Sequence, residues 1–259
     1  MRKLISFFLL FGVLAGLSAQ VQPQVRRSRQ PGNNQGWRPE NTEIWYPVPA
    51  KVTPGEGTAA PSDAIVLFDG TNLDEWESQN PEDATVKWKL EDGALVAVGG
   101  VGGIQTKRWF GSCQLHIEFR SPAEVKGLGQ GRGNSGIFLQ DRYELQVLDG
   151  WDNPTYSNGM LGSIYKQYAP LVNPAKKPGE WQTYDVIYTA PVFGLNGVLE
   201  SPGYITVLLN GVLIQNHVRI KGTTPYIGLP EYNAHGLAPI SLQDHSNPVA
   251  YRNIWIRQL

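Results

Sequence analysis

Cys113-Gln-Leu-His-Ile-Glu-Phe-Arg120 alternates apolar and polar side chains from end to end. A period of two is the signature of a half-buried strand, with Leu115, Ile117 and Phe119 on one face and Gln114, His116, Glu118 and Arg120 on the other. His116 and Glu118 thus face either a cleft or solvent. Cys113, the only cysteine, reads as a small strand residue, and a chain with one cysteine has no internal disulfide.

Similar short runs recur on both sides of this strand, each bounded by Gly, Pro, Asn or Asp. They lie at 64–68, 86–90, 94–98, 136–140, 143–148, 183–189, 204–209, 212–218, 240–242 and 251–258. Leu209-Asn-Gly-Val212 sets Asn-Gly between two apolar runs, the strongest short signal for a hairpin. No segment carries a helical stripe of ten residues, and 73–78 is long enough for only one helical turn. About eleven short strands in roughly 200 residues predict an all-β fold, a two-sheet antiparallel jelly-roll sandwich. No internal repeat points to a propeller or solenoid.

The ends of this pattern divide the chain. Residues 1–19 have a positive start at Arg2 and Lys3, an apolar run from Leu4 to Leu17 and a small residue, Ala19, at the expected cut. That layout predicts a secretory signal peptide and an exported protein, periplasmic or extracellular. About 14 apolar residues are too few to span a bilayer comfortably, and no later segment is longer. Residues 20–61 are rich in Pro, Gly, Gln and Asn and predict a linker. Ile44-Trp-Tyr-Pro-Val-Pro49 within it suits a strap over the domain or a free tail. The folded domain is expected at 62–259. Residues 61–259 hold 15 Lys/Arg against 20 Asp/Glu, and an acidic domain with no basic stripe argues against nucleic acid as a partner.

Candidate chemistry concentrates in two stretches. Asn134 to Asp149 reads as a hairpin turning near Asp141-Arg142. On its second strand Tyr143, Leu145 and Val147 share one face, Glu144 and Gln146 the other. A carboxylate and an amide two residues apart suit sugar hydroxyls, and the carboxylate is a possible base. The same spacing equally describes a solvent-facing polar stripe. In the second stretch, Gln243 and His245 are expected on one strand face opposite Leu242, and Arg252 follows as a fixed cation. Trp109, Trp151, Tyr156, Tyr165 and Tyr168 fall at or near loops, where aromatic faces stack on sugar rings. Asp149, Asp152 and Asn153 carry oxygens of the kind that hold a cation such as Ca²⁺, which is also ordinary loop composition. Neither a zinc pattern nor a nucleotide-binding motif is present, and no cofactor is predicted.

Read together, Leu67-Phe-Asp-Gly-Thr-Asn-Leu73 with Trp76, Asn134-Ser-Gly-Ile137, Tyr143-Glu-Leu-Gln-Val-Leu-Asp149, Gly162-Ser-Ile-Tyr165, Pro178-Gly-Glu-Trp181, Leu209-Asn-Gly211, Leu242-Gln-Asp-His245 and Arg252-Asn-Ile-Trp255 resemble the 3-keto-disaccharide hydrolase family. The resemblance spans essentially all of 62–259 and implies a concanavalin A-like jelly roll in an exported bacterial protein. It implies action on glycosides whose glucose carries a C3 ketone, made by a separate sugar oxidoreductase. A C3 ketone acidifies the C2 hydrogen, so a base can remove it and the enolate can expel the C1 substituent. Within that frame Glu144 or His245 is the expected base and Arg252 the enolate-stabilising cation. Gln146, Gln243 and Asn134 would hold hydroxyls, with Trp151 among the sugar-binding residues and Tyr165 or Lys166 near the leaving group. A lectin-like module and a conventional glycoside hydrolase are the alternatives to this reading.

Overall fold

A computed structural model describes residues 36–259. The expected signal peptide and the first part of the linker lie outside the described residues. The chain divides into two units, the second beginning at Lys51. In the first, the 3₁₀ turn Pro39–Thr42 follows Arg38, whose amide is capped by the Asn41 side chain at 2.7 Å. Trp45 and Tyr46 of the expected strap are exposed.

The second unit is a β-sandwich. In chain order its strands are β1 (Ile65–Phe68), β2 (Trp76–Ser78), β3 (Lys89–Glu91), β4 (Ala94–Val96), β5 (Ile104–Thr106), β6 (Cys113–Arg120), β7 (Ser135–Leu139) and β8 (Tyr143–Val147). They continue with β9 (Gln182–Thr189), β10 (Val192–Phe193), β11 (Leu199–Ser201), β12 (Tyr204–Leu209), β13 (Val212–Arg219), β14 (Ser241–Leu242) and β15 (Ala250–Gln258). One antiparallel sheet runs β13-β12-β9-β6-β15-β4-β3, with β1 also on β15. The second runs β2-β5-β14-β7-β8, and β10 pairs with β11 alone. Neighbours in each sheet are mostly distant in sequence, as a jelly roll requires.

The alternation that predicts β6 holds: Leu115, Ile117 and Phe119 are all buried in the core. Its other face is neither cleft nor solvent. His116 and Glu118 are only 2% and 6% exposed. Thr58 donates its hydroxyl to Glu118 at 3.0 Å, and its carbonyl accepts the Trp255 indole N–H at 3.0 Å, so the segment after Lys51 covers them. Cys113 is fully buried, and desolvation raises its thiol to a pKa of about 12, which makes it inert.

Three tyrosines of the larger sheet reach through the core to the smaller one. Tyr184 donates to the Gln146 carbonyl at 2.8 Å, Tyr251 to Ser135 Oγ at 2.7 Å and Tyr188 to Gln140 Oε1 at 2.6 Å. The first two grip β8 and β7. The third grips the turn between them, where Gln140 and Asp141 both have positive φ and the Arg142 amide donates to the Leu139 carbonyl at 3.1 Å. Leu139 pairs with Tyr143, so the hairpin closes over the three residues 140–142.

Two expectations need correction. Residues 73–76 do close one turn, the Trp76 amide donating to the Leu73 carbonyl at 2.9 Å, but 76–78 form strand β2, with Trp76 buried and its indole donating to the Leu67 carbonyl at 2.8 Å. The strand expected at 240–242 ends at Leu242, so Gln243 and His245 stand on a loop. Asp244 turns the chain there, accepting the Ser246 amide on Oδ1 at 2.8 Å and the Gly102 amide on Oδ2 at 3.0 Å.

Phe119 is fully buried and stacks on Tyr184 at 4.8 Å. Phe119→Ala is therefore expected to cost about 3–5 kcal/mol, read as a lower urea midpoint at unchanged slope. A loss below about 1 kcal/mol would show that the sheets do not depend on this contact.

Candidate active site

Glu144 and Gln146 leave β8 on the side opposite the core residues Tyr143, Leu145 and Val147. They floor a cavity of about 970 Å³. Asn134 stands just before β7, while Gln243 and His245 follow β14, the strand paired with β7. Tyr165 and Lys166 come from a turn between Ile164 and Tyr168 beside β8, where the Tyr165 amide donates to the Glu144 carbonyl at 3.1 Å. The cavity thus gathers Glu144, His245, Asn134, Gln146, Gln243, Tyr165 and Lys166 from four separate stretches of chain.

Glu144 is 6% exposed, and no hydrogen bond to its carboxylate is found among the described residues. Desolvation raises its pKa to about 8, against a smaller downward pull from Lys166. Gly136, two positions before Phe138 on β7, makes room for it. A Cβ at Gly136 would stand 2.7 Å from Glu144 Oε1.

Around this carboxylate the polar groups are held in place. Gln146 donates to Gln130 Oε1 at 3.0 Å and to the Gly159 carbonyl at 3.1 Å, which leaves its own Oε1 buried without a partner. Asn134 is fixed by a 2.7 Å bond to the Gln130 carbonyl. The Tyr156 and Tyr165 hydroxyls meet at 2.7 Å, and burial holds the Tyr165 phenol above its ordinary range. Lys166, at a φ of 56°, sets its ammonium against the Tyr226 carbonyl and 4.5 Å from the centre of the Tyr226 ring. Such a site presents one carboxyl able to take a proton, amides for hydroxyls, and Tyr165, Lys166 and His245 as donors beside them.

Two expected residues are elsewhere. Arg252 belongs to β15 of the larger sheet, bonded to Glu118 at 2.6 Å and stacked 4.2 Å over Trp181, so it does not line the cavity. Trp151 also stands outside it, with its amide on Asp149 Oδ1 and Lys177 5.7 Å from its ring. Asp149 is held by Arg132 at 2.6 Å, and Asn153 by the Gly129 amide and by the Gly129 and Asp149 carbonyls, so these oxygens knit the loop. No cluster of three or more acidic, His or Cys residues suited to a metal occurs among the described residues. Sequence reading missed Gln130, Thr224 and Tyr226. Gln130 lies in a glycine-rich loop without periodicity, and Tyr226 sits between Pro225 and Pro230 in a segment with no strand signal.

The 3-keto-alpha-glucoside-1,2-lyase-like domain family matches residues 63–257. A 3-keto-disaccharide hydrolase of Bacteroides thetaiotaomicron is 25% identical over 284 aligned positions, covering 96% of this chain and 95% of that one. Among solved structures, a candidate glycosyl hydrolase of Parabacteroides distasonis is 50% identical, with a TM-score of 0.82 over 86% of this chain and 98% of that one. A second protein from that organism, 22% identical with a TM-score of 0.58 over 76% of this chain and 94% of that one, shares the fold.

The raised pKa of Glu144 links stability to pH. A carboxyl that ionises near 4.5 when unfolded but near 8 when folded favours the folded state below pH 4.5, and that contribution disappears as pH rises through 8. Glu144→Gln removes the ionisation. The variant is expected to gain a few kcal/mol relative to wild type between pH 5 and pH 8.5 in urea titrations, on the order of the shift. Parallel pH dependence of the two proteins would contradict the buried, unpaired carboxylate.

Proposed function

The chain belongs to the 3-keto-alpha-glucoside-1,2-lyase-like family, and on that footing we propose that it cleaves glycosides whose glucose unit carries a C3 ketone. The observation that carries this reading is the cavity's acid inventory. Glu144 is the one carboxylate among the described residues that line it. Conventional glycosidases use two carboxylates about 5–9 Å apart across the scissile bond. An elimination from a ketone needs only one base at C2, donors at the C3 oxygen and a proton for the leaving oxygen.

In the proposed sequence Glu144 takes the C2 proton, and the C2–H electrons pass to the C3 oxygen as an enolate. When that enolate collapses, the C3 carbonyl re-forms, a C1–C2 double bond forms and the C1–O bond breaks. Its electrons leave with the aglycone oxygen, which takes a proton from Tyr165 or Lys166. Water then adds at C1 and a proton returns to C2, giving the free 3-keto sugar. Burial makes Glu144 a stronger base than an exposed carboxylate, at the cost of being mostly protonated at neutral pH. Gln243 and His245 are better placed than Arg252 to donate to the C3 oxygen, because they line the cavity and Arg252 does not. Asn134 and Gln146 supply amides for hydroxyls, the unpartnered Gln146 Oε1 being a free acceptor.

The C3 ketone has to be made first, so a sugar oxidoreductase precedes this step. The signal-peptide layout of residues 1–19 supports a reaction outside the cytoplasm.

Release of sugar from a 3-keto disaccharide, but not from its unoxidised parent, is the expected result, with deuterium entering C2 when the reaction runs in D₂O. Glu144→Gln should lower kcat/KM by about 10²-fold or more, and His245→Ala less. The wild-type kcat/KM should climb with pH towards a plateau above about 8, where Glu144 is ionised. Near-normal turnover in both variants, or cleavage of the plain sugar, would overturn the assignment.

A further inference from the structure

Two tyrosines on the wall of the cavity are joined hydroxyl to hydroxyl, and the proposed reaction gives the outer one no task. Tyr165 is 8% exposed and Tyr156 is 42% exposed, and their oxygens meet at 2.7 Å. The contact is built from both sides. Tyr156 leads into the 3₁₀ turn Ser157–Gly159, and its ring lies so close over Gly159 that a Cβ there would stand 1.9 Å from Cε2. The Gly159 amide closes back on the Tyr156 carbonyl at 3.0 Å, while the Gly159 carbonyl accepts Gln130 and Gln146 at 2.8 and 3.1 Å. On the other side the Lys166 amide donates to the Asn158 carbonyl at 2.6 Å, which clamps the turn carrying Tyr165 to the turn that follows Tyr156.

Resting on the proposed 3-keto-glycoside reading, we infer that Tyr165 is the acid that protonates the leaving oxygen, and that Tyr156 is its positioning residue, donating to the Tyr165 oxygen so that the Tyr165 proton points at the substrate. Two hydroxyls in contact place one hydrogen between their oxygens. With Tyr156 supplying it, the Tyr165 hydrogen faces the cavity, since Tyr156 is the one partner of that hydroxyl among the described residues. As the C1–O bond breaks, the aglycone oxygen takes the proton on the electron pair it gains, and Tyr165 is left a phenolate. The bond from Tyr156 is then charge-assisted, and such bonds are about twice as strong as neutral ones. A contact that strengthens as charge develops lowers the barrier, which one equally strong before and after does not. When water adds at C1, its proton restores Tyr165 while Glu144 returns its own to C2, so both groups end as they began. Lys166 is less suited to the task, because its ammonium is already engaged by the Tyr226 carbonyl and ring. The protonation states agree. Burial holds the Tyr165 phenol above its ordinary range, so it keeps its proton at the pH near 8 where Glu144 gives up its own.

The test uses two 3-keto glucosides with different leaving groups. One is a 3-keto disaccharide, whose sugar oxygen needs a proton to leave, and the other is 3-keto 4-nitrophenyl glucoside, whose phenolate leaves without one. Tyr165→Phe is expected to lose about 10²-fold in kcat/KM on the disaccharide, and to show a loss at least about tenfold smaller on the nitrophenyl substrate. Tyr156→Phe should lose about tenfold on the disaccharide with the same selectivity. Because Tyr156 acts through Tyr165, the double variant should be no slower than Tyr165→Phe alone. Turnover of the nitrophenyl substrate also shows that each variant is folded. Equal losses on the two substrates, or losses that multiply in the double variant, mark Tyr156 as structural and overturn the inference. A disaccharide-selective loss in Lys166→Met in place of Tyr165→Phe overturns it too. A wild type that leaves the 3-keto disaccharide intact sinks the 3-keto reading and the inference with it, whereas cleavage by wild type without this selectivity in the variants removes the inference alone.

Discussion

The Tyr184 hydroxyl, fully buried, donates to the backbone carbonyl of Gln146. This bond runs from the larger sheet through the core to the strand that carries Glu144 and Gln146. The Gln146 carbonyl already accepts the Gly162 amide at 3.1 Å and takes the phenol as a second donor, while a buried hydroxyl left unpaired would be costly. The same logic applies at Tyr251 and Tyr188, which hold Ser135 and Gln140 on the preceding strand and turn. Packing alone tolerates a sliding of one sheet over another. Three directional bonds at one hairpin fix its height and register against the core, and hence where its outward side chains point.

From that constraint the electrostatics of the cavity follow. With β8 fixed, Glu144 projects over Gly136, and the missing Cβ lets the carboxylate settle where a side chain would otherwise stand. The position is dry enough to raise its pKa to about 8. Gln146, two residues on, is locked by Gln130 and the Gly159 carbonyl, so the neutral amides hold their geometry without offering Glu144 a neutralising charge. Lys166 is the cation that acts on it, yet its ammonium is anchored to Tyr226. A carboxylate kept from pairing is unstable as an anion and correspondingly basic.

Much of the fold was legible because its signals are local. Alternation in 113–120 predicts β6, Asn210-Gly211 predicts the β12–β13 turn, and the hairpin at 134–149 turns where the sequence indicates. Four of the shortest strands, β2, β5, β10 and β11, were not legible. Trp76–Ser78 and Ile104–Thr106 are too short to show a period and are strands only because neighbours in the sheet complete them. The site was legible where it lies on strands, at Glu144 and Gln146, and where a motif marks it, at Gln243 and His245. Gln130 and Tyr226 come from loops, where position is decided by long-range bonds that leave no periodic trace.

Arg252 shows the limit most clearly. The sandwich has two polar strand faces with almost the same lettering. Glu144 and Gln146 project from the smaller sheet, and His116, Glu118 and Arg252 from the larger. Alternation places both sets opposite the core and says nothing of what covers them. On the larger sheet the charges neutralise one another. His116 meets Asp185 at 2.7 Å, Arg252 meets Glu118 at 2.6 Å, and Thr58 seals the group from above, so Glu118 is held below the usual carboxylate range by Asn253 and Arg252 despite its burial. On the smaller sheet the carboxylate has no such partner and faces open space. Two glutamates of similar exposure therefore diverge, one a fixed anion that fastens a covering segment, the other an unpaired carboxyl that opens on a cavity. The difference lies in their neighbours, which strand alternation does not encode.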